Sequence, residues 1–228
     1  MITLQRARDR PQGPEGRAVH PADEAFGALR GCFEQLTSET VEPGQNLVRP
    51  MAAGAEVVVY VGEGSLDFND GLGRAGSLIA GDFLRLTAAT NIGFSVSNSS
   101  LSPARVYQIY LSPAALSVEP ASEQCHLTVA ERRGLGCVVA SRDGRGGSMR
   151  LLHDTCIHSG VLRAGQHVVH VLTVGRVAWV HVVEGQVSVA GTNIRAGDRV
   201  CVSRQRTASI TAHQPSEVLL IDVIASTR

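Results

Sequence analysis

One turn pattern occurs twice in the chain, and it restricts the fold more than any other feature. The stretch "YVGEGSLDF…GSLIAGDFLRL" at 60–86 parallels "HVVEGQVSVAGTNIRAGDRVCV" at 181–202. In each, a strand ends at Glu-Gly (Glu63-Gly64, Glu184-Gly185), a second strand follows, and a turn closes at Ala-Gly-Asp (Ala80-Gly81-Asp82, Ala196-Gly197-Asp198). Glycine supplies the positive φ of such turns, and the aspartate side chain caps nearby backbone. A further apolar strand ends each half, "ARVYQIYLS" and "SEVLLIDVI". Two similar barrels in tandem account for this order, with one long β-sandwich of chance internal likeness as the competing architecture.

Alternation supports strands throughout. Ile92, Phe94 and Val96 share one face, opposite Gly93, Ser95 and Ser97, and Val177, Trp179, His181 and Val183 alternate with Ala178, Val180 and Val182. Such period-two runs, rich in β-branched residues and bounded by Gly, Asn, Asp and Ser, read as strands. Helical spacing is confined to Pro113–Leu116 and Ser122–Arg132. The expectation is an all-β chain of two antiparallel, jelly-roll-like barrels with few short helices. Its division is a first barrel over 1–112, a linker over 113–135 and a second barrel over 136–228.

A chain of 228 residues buries roughly 70% of its unfolded surface. Lys plus Arg and Asp plus Glu both number 21, so the charge balance gives no support to nucleic-acid or anionic-membrane partners. No apolar run of signal-peptide or membrane-spanning type is present. The five cysteines (Cys32, Cys125, Cys137, Cys156, Cys201) are scattered and never form a C-x-x-C pair, which suits free thiols in a reducing cytoplasm. A cytoplasmic monomer or weak homodimer is expected.

The segments "VEPGQ" (41–45), "YVGEGSLDFNDGLG" (60–73), "IAGDFLRLTAATNI" (79–92), "SRDGRGGS" (141–148), "GRVAWVHVVEGQVSVAG" (175–191) and "LLIDV" (219–223) resemble the pirin family of the cupin superfamily. They run in order from about residue 24 to the C-terminus, strongest in the second half. The resemblance implies a bicupin fold. In metal-binding pirins it also implies an iron-type site in the first barrel, held by a His-Pro-His stretch and a later histidine and glutamate two residues apart. Some bacterial members are quercetin 2,3-dioxygenases, and animal members are transcriptional co-regulators.

Counting from Glu63-Gly64 and Gly81-Asp82 places the four ligand positions at Pro50, Ala52, Phe94 and Val96. None of these binds a metal, and no histidine occurs between His20 and His126. The family's acid is retained at Glu56, which needs a partner or solvent if buried. The start also departs from the family: "RPQGPEGRAVHPADEAFGALR" is rich in Pro and Gly, and only "FGALR" (26–30) is familiar. A pocket lined by Ala52, Glu56, Tyr60, Phe94 and Val96 is expected in the first barrel. With nine aromatic residues in the chain, such a pocket offers little grip on a flat flavonoid.

These positions lead to a bicupin without a first-barrel metal, and hence to a non-enzymatic binding, regulatory or protein-contact role, its partner a small molecule or a protein. No cofactor is expected, and iron or another divalent metal enters only through a site elsewhere. A dioxygenase-like oxidoreductase using such a site is the alternative, with His167, His170 and His213 as candidate ligands. Against it, His167 and His170 are three apart and point to opposite faces of a strand. A third reading makes Cys125, beside His126 and upstream of Arg132-Arg133, a redox-responsive thiol. His153 and His158 flank Cys156, and a Cys156–His pair would lower a thiol pKa. Cys137 and Cys201 read as inert core, His181 as structural, and "SRDGRGGSMR" (141–150) as a glycine turn with solvated arginines.

Overall fold

The computed structural model describes residues 1–7, 18–21, 31–113 and 118–225. In chain order the first strands are β1 (Ile2–Gln5), β2 (Ala18–Pro21), β3 (Phe33–Val41), β4 (Asn46–Met51), β5 (Glu56–Glu63) and β6 (Ser65–Asn69). There follow β7 (Ala75–Ile79), β8 (Asp82–Thr87), β9 (Ile92–Ser97), β10 (Ala104–Leu111) and β11 (Ala121–His126). The remainder are β12 (Cys137–Ser141), β13 (Met149–Arg150), β14 (Thr155–Leu162), β15 (His167–Val171) and β16 (Arg176–Glu184). The chain ends with β17 (Gln186–Val189), β18 (Thr192–Arg195), β19 (Arg199–Val202), β20 (Thr207–Ala212) and β21 (Ser216–Ile224). Among the described residues no helix is long and apolar enough to cross a membrane.

Residues 33–127 form one compact unit, and 128–228 with the first strand form the other. In the first unit a sheet ordered β11-β8-β5-β10-β3-β2 faces a sheet ordered β4-β9-β6-β7, with Val57, Val59, Val61, Leu84, Phe94 and Val96 among the side chains buried between them. In the second, β1-β19-β16-β21-β14-β12-β13 faces β15-β20-β17-β18 around Val180, Val182, Val187, Ile194, Val200 and Leu220. The all-β, two-barrel architecture expected from the repeated turns is therefore present.

Both copies of the turn are built alike. Gly64 and Gly185 have φ of 78° and 86°, and each carbonyl accepts from the alanine of the Ala-Gly-Asp turn, Ala80 at 3.0 Å and Ala196 at 2.9 Å. Each aspartate then caps the backbone three residues earlier: Ile79 N–H donates to Asp82 Oδ2 at 2.8 Å and Arg195 N–H to Asp198 Oδ2 at 3.2 Å. Both aspartates are buried, so these charge-assisted bonds satisfy carboxylates that would be costly alone.

Two expectations need correction. Strand β1, assigned by sequence to the first barrel, pairs antiparallel with β19 of the second, Ile2 opposite Val202. The helix expected over Ser122–Arg132 is strand as far as His126 and loop and turn beyond it: β11 pairs with β8, Cys125 opposite Phe83. Pairing to an open sheet edge outweighs the local helix propensity of Ser-Glu-Gln. What survives of the helix is one capped turn, in which Thr128 N–H donates to Glu131 Oε2 at 2.8 Å and Glu131 N–H to Thr128 Oγ1 at 3.3 Å. Residues 114–116 of the other expected helix, Pro113–Leu116, and "FGALR" lie outside the described residues.

A Cβ at Gly185 would run into the Pro215 carbonyl and Ser216 Oγ, on a backbone conformation that side chains rarely adopt. Gly185→Ala is expected to cost about 2 kcal/mol or more. Gly136, which has nothing near its would-be Cβ, is expected to accept alanine nearly neutrally. Urea midpoints of the two variants check this; equal midpoints would contradict it.

Candidate functional site

The interior of the first barrel is set by the register of β4 against β9. Leu47 lies opposite Val96, Arg49 opposite Phe94, and Met51 opposite Ile92. Leu47, Met51, Phe94 and Val96 are all buried in the core, so this face points inward. Pro50 lies opposite Gly93 on the exposed face, and Ala52 sits exposed in the following turn. Both border an outer cleft with Val48 and Asn91 and do not reach the lumen.

The inward positions are therefore 49 and 51, one residue earlier than counting from Glu63-Gly64 suggests. The difference is taken up in the turn, where Ala55 N–H donates to Ala52 at 3.1 Å and Gly54 N–H to Ala88 at 2.6 Å. Pro50 fits this register because β4 is an edge strand, and edge strands tolerate the missing N–H. A His-Pro-His pattern laid with its proline on Pro50 thus has Arg49 and Met51 at its two ends. Phe94 and Val96 lie in the buried core of this barrel.

Arg49 does not stand alone there. Its Nη2 donates to Glu39 Oε2 at 2.6 Å, and the two side chains are 13% and 3% exposed. Glu39 and Thr37 share the inner face of β3, with Gln108 opposite Thr37. Gln108 Oε1 accepts from Tyr110 OH at 2.6 Å and from Thr37 Oγ1 at 3.4 Å. A polar row from Tyr110 to Arg49 thus crosses an otherwise apolar barrel. Two donors on it, Gln108 Nε2 and Arg49 Nε, are buried with no acceptor among the described residues.

Glu56 and Tyr60, expected in this pocket, lie on the other face of β5 from Val57, Val59 and Val61, as strand alternation requires. Glu56 is fully buried, 3.5 Å from Arg85 Nη1, and accepts from Thr87 Oγ1 at 3.3 Å, so the partner its burial demands is an arginine. Tyr60 stacks on Phe83 with ring centroids 4.4 Å apart. At the positions where the resemblance puts the metal ligands, the β4–β9 register sets Arg49, Met51, Phe94 and Val96. A guanidinium, a thioether, a phenyl ring and an isopropyl group contain no nitrogen or oxygen ligand for a first-row ion. Among the described residues no three His, Cys, Asp or Glu side chains are grouped to hold a metal.

The second barrel contains a cluster that joins residues the sequence treats separately, Cys156 with His158 and the candidate ligand His170, around Asp222. Cys156 and His158 share a face of β14, and Asp222 lies opposite Cys156 on β21. His170 reaches them from β15: its Nε2 is 2.7 Å from Asp222 Oδ2, and its ring meets His158 edge-on with centroids 4.9 Å apart. Arg176 Nε donates to the other Asp222 oxygen at 2.6 Å, and its Nη1 to Asp154 at 2.9 Å. The legible signals were the two-residue spacing of Cys156 and His158 and an aspartate inside the apolar "LLIDV". His167 and His213 do not join; they bond Thr211 Oγ1 and Asn193 Oδ1 at exposed positions.

Burial, reinforced by His170, pushes His158 down from 6.5 to about 4. Burial pushes the Cys156 thiol up to about 11 against the opposing pull of Arg145, so the histidines do not activate it as a Cys–His pair would. Cys137 and Cys201 are also raised by burial, the latter to about 12, which keeps them unreactive. Cys125 is half-buried in β11, and its neighbour His126 bonds Asp82 at 2.7 Å. In the glycine loop, Arg145 Nε donates to Asp143 at 2.9 Å.

Because His158 is depressed in the folded state, the unfolded chain takes up its proton first as pH falls below 6.5. The stability from its neutral burial is complete above about 6.5 and is lost as pH falls toward 4, about 3 kcal/mol in all. His158→Gln is expected to flatten that part of the pH–stability curve, and the His158 ring proton is expected to titrate near 4 by NMR. A midpoint near 6.5 would contradict the assignment.

Several known proteins are similar to this chain. Residues 138–223 match the model for the quercetinase C-terminal cupin domain. A quercetin 2,3-dioxygenase of Escherichia coli is 28% identical over 235 residues, covering 98% of this chain and 99% of that one. A Pseudomonas aeruginosa relative, named provisionally for the same activity, is 31% identical over 169 residues, 74% of this chain and 73% of its own. The crystal structure of the E. coli bacterial pirin YhhW in complex with nickel(II) superposes with a TM-score of 0.89 at 27% identity, covering 98% of this chain and 99% of that one. With the duplicated Gly-turn barrels and this full-length likeness, the chain belongs to the pirin family of the cupin superfamily.

Proposed function

We propose that the first barrel is a metal-independent binding site for a small organic molecule with oxygen acceptors, so that the chain serves as a ligand-binding or regulatory member of its family. The observation that carries this reading is the Arg49–Glu39 pair on the face where the family places its metal. The unsatisfied Gln108 Nε2 and Arg49 Nε support it, since buried donors in native proteins normally find an acceptor. A carbonyl, phenol or carboxylate oxygen supplies one. Met51, Phe94 and Ile92 furnish the apolar wall against which the body of such a ligand rests.

A second reading is favoured by the dioxygenase name of a full-length relative: oxidation of a flavonol, with a metal held by ligands other than the family's. Quercetin separates the two. By calorimetry, binding of quercetin is expected to be unchanged by chelator and to weaken about 10-fold in Arg49→Met/Glu39→Gln, a pair of changes that leaves no buried charge unpaired. Oxygen uptake with quercetin that chelator abolishes would overturn the proposal and establish the second reading.

A further inference from the structure

The second barrel has a cavity of about 420 Å³ at one end, between the loop from Leu172 to Gly175 and the loop from Ser203 to Arg206. Its wall is apolar: Leu172 and Val177 are buried beneath it, while Val174 is 98% exposed at its rim, with Ala225 alongside. Backbone bonds hold the walls together, Leu172 N–H to the Arg206 carbonyl at 2.8 Å and Ala225 N–H to Gly175 at 2.8 Å. The cavity is therefore preformed.

Three arginines line it, and they are not equivalent. Arg176 is committed to Asp222 and Asp154. Arg204 and Arg206 are exposed, and among the described residues neither makes an ion pair or a side-chain hydrogen bond. In a chain of zero formal net charge, this is a local surplus of positive charge at the mouth of an apolar hollow. Arg204 also has a left-handed φ of 55°, a conformation a non-glycine residue holds only when its surroundings impose it, and one found at binding sites.

We infer that this cavity is a second ligand site, which takes an organic anion: an apolar ring or acyl body in the hollow, and a carboxylate or sulfonate between Arg204 and Arg206. It is separate from the lumen of the first barrel and stands whether or not that site binds a ligand. Guanidiniums favour such anions through their planar, bidentate donors, and an exposed pair gives strongly salt-dependent binding.

The probe is 8-anilinonaphthalene-1-sulfonate, with the uncharged N-phenyl-1-naphthylamine as its partner, followed by fluorescence on the full chain. The sulfonate is expected to bind saturably at one site, and to weaken about 10-fold in Arg204→Asn/Arg206→Gln and at high salt. The neutral probe is expected to be indifferent to both. Asparagine keeps the left-handed backbone accessible at 204, and unchanged near-ultraviolet circular dichroism certifies the fold. Three results would overturn the inference: no saturable sulfonate binding by the unaltered protein, equal affinity in the double variant, or loss of binding in Arg49→Met/Glu39→Gln instead, which would place the probe in the first barrel.

Discussion

The pairing of β4 with β9 decides what the first barrel contains. A barrel strand shows alternate residues to its lumen, so a slip of one residue exchanges the whole inner set for the outer one. Here Pro50 lies opposite Gly93, and Arg49 opposite Phe94. The arrangement is consistent with proline chemistry, because an edge strand does not need that N–H. It is also consistent with packing, because Leu47 and Met51 join the core.

Once Arg49 points inward, its charge requires a carboxylate, and Glu39 provides one at 2.6 Å. Removing either partner alone would leave a buried charge, the costly outcome for such pairs. The row that continues through Thr37, Gln108 and Tyr110 links three strands of the barrel. The second barrel treats its polar residues differently: Asp222 gathers His170 and Arg176, and the surplus cations lie outside at Arg204 and Arg206.

Much of the fold was legible in the sequence because the repeated turns have strict requirements. Gly64 and Gly185 need positive φ, and Asp82 and Asp198 recur as caps, so the duplication appears in the letters. Phe94 and Val96 share the buried face of β9 because residues two apart on a strand point the same way. The register of β4 was not legible: the Ala52–Ala55 turn uses one residue more than the counting assumed, which moved Arg49 out of view. Glu56 and Tyr60 were misplaced because their strand is buried on both faces, so apolar content does not reveal which face is inner. The Cys156–His158–His170–Asp222 cluster was not legible because it needs two tertiary facts, the register that sets Asp222 opposite Cys156 and the approach of His170 from the other sheet.

The central claim is that a guanidinium–carboxylate pair, and not a metal, occupies the working face of the first barrel. Elemental analysis by ICP-MS of untagged protein purified without chelator tests it most directly. Well under one-tenth of an equivalent of iron, nickel, copper or zinc is the expected result (roughly the background of a protein without a ligand set). Close to one equivalent, lost on substitution of Arg49, Met51 or their lumen neighbours, would contradict it.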